Sequence, residues 1–157
     1  MITRFERFTA AIAGIYRDVQ KIEREEMEKY GLKGAYAQYL VVMDRHPEGI
    51  TAARLCDRSD KDKAAVSRAV AEMEKKGLII REDVNDSGYR ALLKLTPMGR
   101  EAAQFVRGRA GSAVAIAGDG LTEEQRGIMY QSLEHIAYHL KEITRRGIPE
   151  GKEEQEA

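Results

Sequence analysis

Residues 59–96 hold the pattern that most constrains the fold of this chain, SDKDKAAVSRAVAEMEKKGLIIREDVNDSGYRALLKLT. An amphipathic stretch that begins at Asp62 stops at Gly77, a residue that suits the left-handed position just after a helix. The segments LIIRE and RALLKLT are strand-like, and VNDSGY between them is rich in turn-forming residues. The pattern therefore predicts a short helix that leads directly into a β-hairpin.

Helical patterns flank this unit on both sides. Apolar residues recur at spacings of three and four in the first segment, and Thr51, Thr96 and Thr122 stand where helix N-caps are needed. Pro97 suits the first position of a helix, and Gln125 completes a capping box with Thr122. The predicted helices cover residues 3–29, 35–46, 51–58, 62–76, 97–117 and 123–146. The expected fold class is mainly α with a small β-hairpin wing.

Composition limits the class of protein. With 157 residues, 43% hydrophobic and 33% charged, the chain suits one soluble domain with a substantial core. No apolar run approaches the roughly 18 residues of a membrane span, and the amphipathic N-terminus does not resemble a signal peptide. The single cysteine, Cys56, cannot form an internal disulfide, so we expect a cytoplasmic protein without membrane association. The net charge of zero argues mildly against nucleic-acid binding, but the local distribution of charge matters more for such binding than the net charge.

The two faces of the fourth predicted helix differ in chemistry. At about 100° per residue, one face gathers the apolar residues Val66, Val70 and Met73, with Ala69 close by. The opposite face gathers small residues, a hydroxyl and two long cations: Lys63, Ala64, Ser67, Arg68 and Ala71. Small side chains allow a close approach to base edges, while Lys and Arg reach guanine or phosphate. The alternative is an ordinary amphipathic helix with a solvated polar face.

The predicted hairpin supplies the basic residues Arg81, Arg90 and Lys94. A hairpin of this kind can reach the DNA backbone or the minor groove with a basic residue. Arg90 is the expected contact, and Asp86 is the expected partner that orients it through a charge-assisted hydrogen bond. The alternative is a surface ion pair that contributes little to stability.

Taken together, these segments resemble the MarR family of bacterial transcriptional regulators, which are homodimeric winged helix-turn-helix proteins. The resemblance rests on the runs DKAAVSRAVAEMEKKGLIIRE and LLKLTPMGRE, with two long helices after the wing. One departure lies in the wing, where the family's Asp-x-Arg pair falls on Ser87 and Tyr89, and the nearest Asp and Arg are Asp86 and Arg90. The resemblance implies double-stranded DNA and a second copy of the chain as partners, in a bacterial or archaeal cytoplasm.

The resemblance also implies a division of roles along the chain. Residues 34–96 would form the winged helix-turn-helix domain, residues 1–30 and 97–147 the dimerisation helices, and residues 148–157 a disordered tail. Two such domains related by a two-fold axis would bind a pseudo-palindromic operator. The expected DNA-binding residues lie on the third helix, the fourth helix and the wing: Thr51, Arg54, Lys61, Lys63, Ala64, Ser67, Arg68, Asp86, Arg90 and Lys94. A long apolar face on the last helix supports a partner chain independently: Ile128, Met129, Leu133, Ile136, Ala137, Leu140 and Ile143.

Three further groups of residues suggest control by a ligand, a metal or oxidation. Many relatives release DNA when a small aromatic or phenolic effector enters a cleft beside the dimer helices. The residues expected at such a cleft are Tyr16, Tyr36, Tyr39, Met43 and His46, and core or interface packing is the alternative for each. Cys56 is interpreted as a buried structural cysteine, with a redox sensor as the alternative. His135 and His139 have a spacing that can hold a metal, but exposed or interface histidines are the preferred interpretation, and no metal or cofactor is expected.

The preferred hypothesis is a ligand-responsive repressor that binds DNA sequence-specifically and is not an enzyme. The sequence has no Gly-rich phosphate loop and no Ser/His/Asp arrangement, and it contains only three histidines. The alternative is a winged-helix module for protein contacts or dimerisation, without specific recognition of DNA bases.

Overall fold

The computed structural model describes residues 3–83 and 91–149, and in them it contains six helices and one β-hairpin. The helices are α1 Arg4–Lys29, α2 Tyr36–Asp44, α3 Ala52–Ser59, α4 Lys63–Lys75, α5 Pro97–Ala117 and α6 Glu123–Arg146. The strands β1 Ile79–Asp83 and β2 Ala91–Leu95 pair antiparallel, with Ile79 opposite Leu95. The expected fold class, mainly α with a β-hairpin wing, is confirmed. The chain divides into two compact units, residues 1–117 and residues 118–157.

The core of the first unit is centred on α2, which packs against α1, α3, α5 and β2. Six of the nine residues of α2 are buried, so this helix is covered on most of its circumference. The largest fully buried side chains of the unit include Tyr36, Met27, Leu40, Met43, Ile50, Leu55 and Met73. Because burial of one large apolar side chain contributes about 1.5–3 kcal/mol, these residues dominate the stability of the unit.

Local capping explains why α4 leads directly into the hairpin. Asp62 caps the start of α4 by accepting the N–H of Ala65 at 2.8 Å. At the other end Gly77 has a φ of 72°, a conformation that side chains disfavour. Where the hairpin returns, Thr96 accepts the N–H of Gly99 at 3.1 Å and donates its hydroxyl to the carbonyl of Gly77 at 2.6 Å. One threonine thus begins α5 and joins it to the end of α4.

Gly99 permits the close approach of α5 to the base of the hairpin. A Cβ atom at this position would lie 2.0 Å from the carbonyl oxygen of Leu78. That carbonyl already accepts the N–H of Thr96 at 3.0 Å, so it cannot move aside without loss of a hydrogen bond. The start of α5 therefore requires glycine here.

Helix boundaries differ slightly from the sequence-based expectation. α2 begins at Tyr36 and ends at Asp44, whereas the pattern predicted a helix over residues 35–46. The cause is a tighter turn at its end, where the N–H of Arg45 bonds to the carbonyl of Val42 at 3.2 Å. Thr51 lies just outside α3 as its N-cap, as Asp62 does for α4.

The second unit contains α6, which begins with the expected capping box. Thr122 accepts the N–H of Gln125 at 3.2 Å, and the Gln125 side chain accepts the N–H of Thr122 at 2.9 Å. No residue of α6 is buried, and its exposed large side chains are Ile128, Met129, Tyr130, Tyr138 and Leu140. Within the described ranges, the structure has no helix with the length and apolar character of a transmembrane span. These five side chains of α6 are thus not covered within their own unit.

Candidate nucleic-acid interface

The α4 helix divides its chemistry between the core and the surface. Val66, Val70 and Met73 are at most 2% exposed and belong to the hydrophobic core. The residues predicted for the opposite face are all exposed: Lys63, Ala64, Ser67, Arg68 and Ala71. Four of them lie opposite the core, whereas Lys63, three residues before Val66 and seven before Val70, lies on the same side as those two residues. The small, hydroxyl and cationic side chains of α4 are therefore open to a partner.

Asp62 caps the N-terminal end of α4, and its charge also acts on Tyr39 of α2. The N–H of Ala65 holds the pKa of Asp62 below its usual value, and the charge of Arg68 lowers it further. Burial raises the pKa of Tyr39, and the charge of Asp62 adds to the rise. Asp62 therefore stays ionised at neutral pH, and it stabilises the positive end of the helix dipole.

The helix α3, which packs against α4, brings further cations beside it. Arg54, Arg58 and Lys61 are all exposed. The half-buried Thr51 caps α3 by accepting the N–H of Arg54 at 3.3 Å. Between the two helices Asp60 has a left-handed φ of 53°, which turns the chain within a few residues. The cations of α3 and α4 therefore belong to two adjacent helices joined by a tight turn.

The cations of α3 and α4 differ from those of the hairpin strands in their ion pairs. Arg81 Nε lies 3.2 Å from Glu74 Oε2, and Lys94 is paired with Glu82. Across the described part of the chain, no ion pair involves Arg54, Arg58, Lys61, Lys63 or Arg68. We call these five residues the α3–α4 cation group. None of the five is held in an ion pair, although Arg68 acts on Asp62 and Arg54 on Glu48 through their charges, whereas the strand cations are already partly neutralised.

The expected wing contacts are only partly covered by the structure. Lys94 lies on β2, where its ammonium group is engaged with Glu82. Asp86 and Arg90 lie outside the described residues. Residues 150–157 of the expected disordered tail lie outside them as well. The pairing predicted between Asp86 and Arg90 therefore stays a prediction.

One carboxylate of α4 is bound to residues from outside the helix. Glu72 Oε2 accepts the hydroxyl of Tyr36 at 2.8 Å and the ammonium group of Lys33 at 2.6 Å. Burial raises the pKa of Tyr36 to about 12, and its hydrogen bond to Glu72 adds to the rise. This group connects α4 to the start of α2.

The side chains expected at an effector cleft lie in different environments. Tyr36, Tyr39 and Met43 are buried within the hydrophobic core around α2. Tyr16 on α1 is 58% exposed, and His46 is half-buried with its Nδ1 3.2 Å from Glu48 Oε1. Core packing accounts for the three buried residues, and the cleft stays a prediction.

Cys56 is half-buried, not fully buried as predicted. It packs against the core from α3 and borders a cleft of about 240 Å³ that Val66, Val70 and Arg81 also line. The side chain is only partly covered because one side of α3 faces this cleft rather than the core. A cysteine in this position fills space at the α3–α4 contact.

The two histidines of α6 form a local pair. The rings of His135 and His139 have their centroids 4.4 Å apart, and both side chains are exposed. Among the residues that the structure describes, no group of three or more His, Cys, Asp or Glu side chains is arranged to hold a metal ion. The pair therefore supplies two potential ligands without a third.

Sequence reasoning missed two parts of this surface. Arg58 was not among the predicted contacts, although it follows Arg54 by one helical turn and that spacing places both on one side of α3. Glu72 was also missed, because its partners are 36 and 39 residues away in the sequence. No local pattern indicates a bond of that kind.

Comparison with known proteins finds a family model that matches the central part of the chain. Residues 30–88 match the sequence model of the MarR family, a range that contains α2, α3, α4 and β1. No curated protein matches the chain at a significant level.

Solved structures share the fold. One is a MarR family transcriptional regulator from Listeria monocytogenes complexed with 26mer DNA, with 23% identity, coverage of 91% of this chain and 97% of that chain, and a TM-score of 0.72. A MarR family regulator from Silicibacter pomeroyi has 21% identity, coverage of 96% and 97%, and a TM-score of 0.71. A MarR regulator from Methanosarcina mazei Go1 has 23% identity, coverage of 88% and 99%, and a TM-score of 0.74. At these identities the likeness establishes a common fold.

Proposed function

We propose that the chain is a sequence-specific DNA-binding transcriptional regulator of the MarR family and not an enzyme, because residues 30–88 match the model of that family. The observation that supports this function best is the α3–α4 cation group, which lies beside the exposed small residues of α4 and has no ion pairs among the described residues. Free cations attract the phosphate backbone, and a helix surface of small residues allows the close approach that base recognition needs.

The roles of the individual residues follow from their positions. Lys63, Ala64, Ser67 and Arg68 on α4 face the major groove, with Arg68 as the best donor for a guanine. Thr51, Arg54 and Lys61 contact the phosphate backbone from α3 and its turn. Arg90 reaches the minor groove from the wing with Asp86 as its partner, and Lys94 contributes less because Glu82 already neutralises it. Residues 34–96 thus form the DNA-binding domain.

The regulator acts as a homodimer in this proposal. α6 has no buried residue, and α1 exposes Phe5, Ile12 and Ile15. A second copy of the chain would cover apolar surface of this kind. Residues 1–30 and 97–147, which contain the long helices α1, α5 and α6, are the proposed dimerisation helices. Two DNA-binding domains then match a pseudo-palindromic operator. The relative from Listeria monocytogenes, complexed with 26mer DNA, supports DNA as the partner of this fold.

A fluorescence anisotropy titration tests the function. The labelled duplex is the region upstream of the protein's own gene, and a shuffled duplex of the same composition is the matched control. We expect tighter binding to the upstream region. The logarithm of the binding constant should fall linearly with the logarithm of the salt concentration, with a slope of about −0.9 for each contacted phosphate. Equal affinity for both duplexes would favour the alternative, a winged-helix module for protein contacts, and would contradict the regulator.

We also propose that a small aromatic or phenolic effector weakens operator binding, as is typical of the family. The residues proposed to contact it are Tyr16, Tyr36, Tyr39, Met43 and His46. Three of them are core residues here, so entry of the effector would require rearrangement around α2. Titration of benzoate or phenol into the protein–operator complex, with cyclohexanol as control, tests this point. The proposal fails if no aromatic compound lowers the anisotropy at concentrations where cyclohexanol has no effect.

A further inference from the structure

The carboxylate of Glu72 lies one helical turn beyond Arg68 on α4, yet it is bound to residues from another part of the chain. Both donors, the Tyr36 hydroxyl and the Lys33 ammonium group, bond to the same oxygen, Oε2. Lys33 Nζ also lies 5.9 Å from the centroid of the Tyr36 ring, within the range of a cation–π contact. Because Tyr36 is only 2% exposed, its hydroxyl cannot leave Glu72 unless the core around α2 rearranges.

Without these donors, Glu72 would have two cations four residues away, Arg68 before it and Lys76 after it, and Lys76 already acts on its carboxylate. Residues four apart on a helix lie on the same side, and opposite charges at this spacing attract each other. In the structure Glu72 and Arg68 form no ion pair. Lys33 and then Tyr36 lower the pKa of Glu72 through hydrogen bonds, and Lys76 adds a smaller effect. The pKa of Asp62 is lowered mainly by its hydrogen bond from the N–H of Ala65, and the charge of Arg68 lowers it further.

We propose that Tyr36 and Lys33 hold the carboxylate of Glu72 away from Arg68, and so keep the Arg68 guanidinium group available to DNA. This inference rests on the proposed function of α4. A released carboxylate would compete with DNA for the guanidinium group, and it would also place an unshielded negative charge close to the phosphates. Tyr36 and Lys33 are positioning residues in this account, since neither contacts DNA.

Four proteins test the inference in operator titrations: the wild type, the double variant Tyr36→Phe/Lys33→Met, the single variant Glu72→Gln, and the triple variant that combines all three changes. The double variant should bind about two- to fivefold more weakly, the factor that corresponds to an exposed ion pair. Glu72→Gln alone should lose no affinity, and the triple variant should regain the affinity of the wild type. Lys29→Met is the control, because it also removes one positive charge, but Lys29 pairs with Glu26 on α1 and not with a residue of α4.

Two results would overturn the inference. One is a loss in Glu72→Gln as large as in the double variant, because Glu72 would then serve only to orient α4. The other is a triple variant that stays as weak as the double variant. In an Arg68→Ala background the double variant should cause no further loss, and an additional loss there would likewise overturn the inference.

A measurement without DNA separates this inference from the proposed function. In ¹⁵N NMR spectra, the Arg68 Nε–H signal of the double variant should shift as Glu72 ionises, and it should not do so in the wild type or the triple variant. An Arg68 signal that ignores pH in the double variant would contradict the inference. If the wild type showed no preference for its operator, the proposed function would fail, and the NMR result would still decide whether Glu72 is held away from Arg68.

Discussion

Two amphipathic helices of this chain, α4 and α6, differ in what covers their apolar faces. α4 buries Val66 and Met73 within its own unit, at 1% and 0% exposure, and leaves its polar face open. α6 buries no residue and leaves Ile128 and Leu140 at 58% and 48% exposure. The difference is one of cover within the chain: the apolar face of α4 is buried there, whereas that of α6 is not, which supports the proposal that a second copy of the chain covers α6. In the proposed function, the polar face of α4 binds DNA and the apolar face of α6 binds a second copy of the chain.

The largest effect is expected from charges placed on the apolar face of α6. The double variant Ile128→Asp/Leu140→Asp should be monomeric by size-exclusion chromatography with light scattering. Because two linked binding domains bind more tightly than one by a factor of about 100 or more, operator affinity should fall by a similar factor. Lys141→Glu, a charge change at an exposed polar position of the same helix, should leave both properties unchanged. A double variant that stays dimeric would contradict the proposal that the apolar face of α6 binds a second copy of the chain.

The second effect concerns the buried face of α4. Met73→Ala removes most of a fully buried side chain, so urea titrations should give a loss of about 2–5 kcal/mol in the free energy of unfolding. The exposed Ser67 on the same helix provides the matched control, and Ser67→Ala should change the free energy of unfolding by no more than about 0.5 kcal/mol. Similar losses in both variants would mean that the two faces of α4 do not differ in burial.

The third effect concerns the exposed face of α4. Arg68→Ala should cost about 1–3 kcal/mol in operator binding and should reduce the preference for operator over shuffled DNA, because a guanine contact is lost. Lys75→Ala, also exposed and further along α4, should give a smaller loss that is equal for both duplexes. An equal loss for both duplexes in Arg68→Ala would make Arg68 a phosphate contact.

The smallest effect is expected from the hairpin. Lys94→Gln removes a cation that Glu82 already neutralises, so operator affinity should change by less than about 1 kcal/mol and the salt slope should stay the same. Lys63→Gln removes a cation without an ion pair and should reduce the salt slope by about 1. Titrations at four salt concentrations compare the two variants. A larger change in slope for Lys94→Gln than for Lys63→Gln would contradict the proposal that the paired Lys94 contributes less to DNA binding than Lys63.

Much of the fold could be predicted because its signals are local. Periodicity placed Val66, Val70 and Met73 on the buried side of α4, and capping residues such as Thr96 and Thr122 marked the starts of α5 and α6. These signals act within one or two helical turns, where a single sequence contains all the relevant partners.

The candidate site was less predictable, because its electrostatics depend on contacts between distant residues. The resemblance and their positions on the second helix suggested Tyr36 and Met43 as ligand contacts, and tertiary packing places both in the core. The local sequence likewise gave no reason to expect that Glu82 neutralises Lys94, or that Lys33 binds Glu72. Which cations stay free for DNA is decided only when strands and helices are brought together.

The central claim is that the exposed face of α4 recognises base pairs in two symmetric half-sites. Selection of bound duplexes from a random-sequence library, performed in parallel with the wild type and Arg68→Ala, tests this claim most directly. The wild type is predicted to enrich an inverted repeat whose half-sites lie about one helical turn apart, and Arg68→Ala is predicted to lose its preference at one base pair in each half-site. A wild type that enriches no motif, or a variant that enriches an identical one, would contradict the claim.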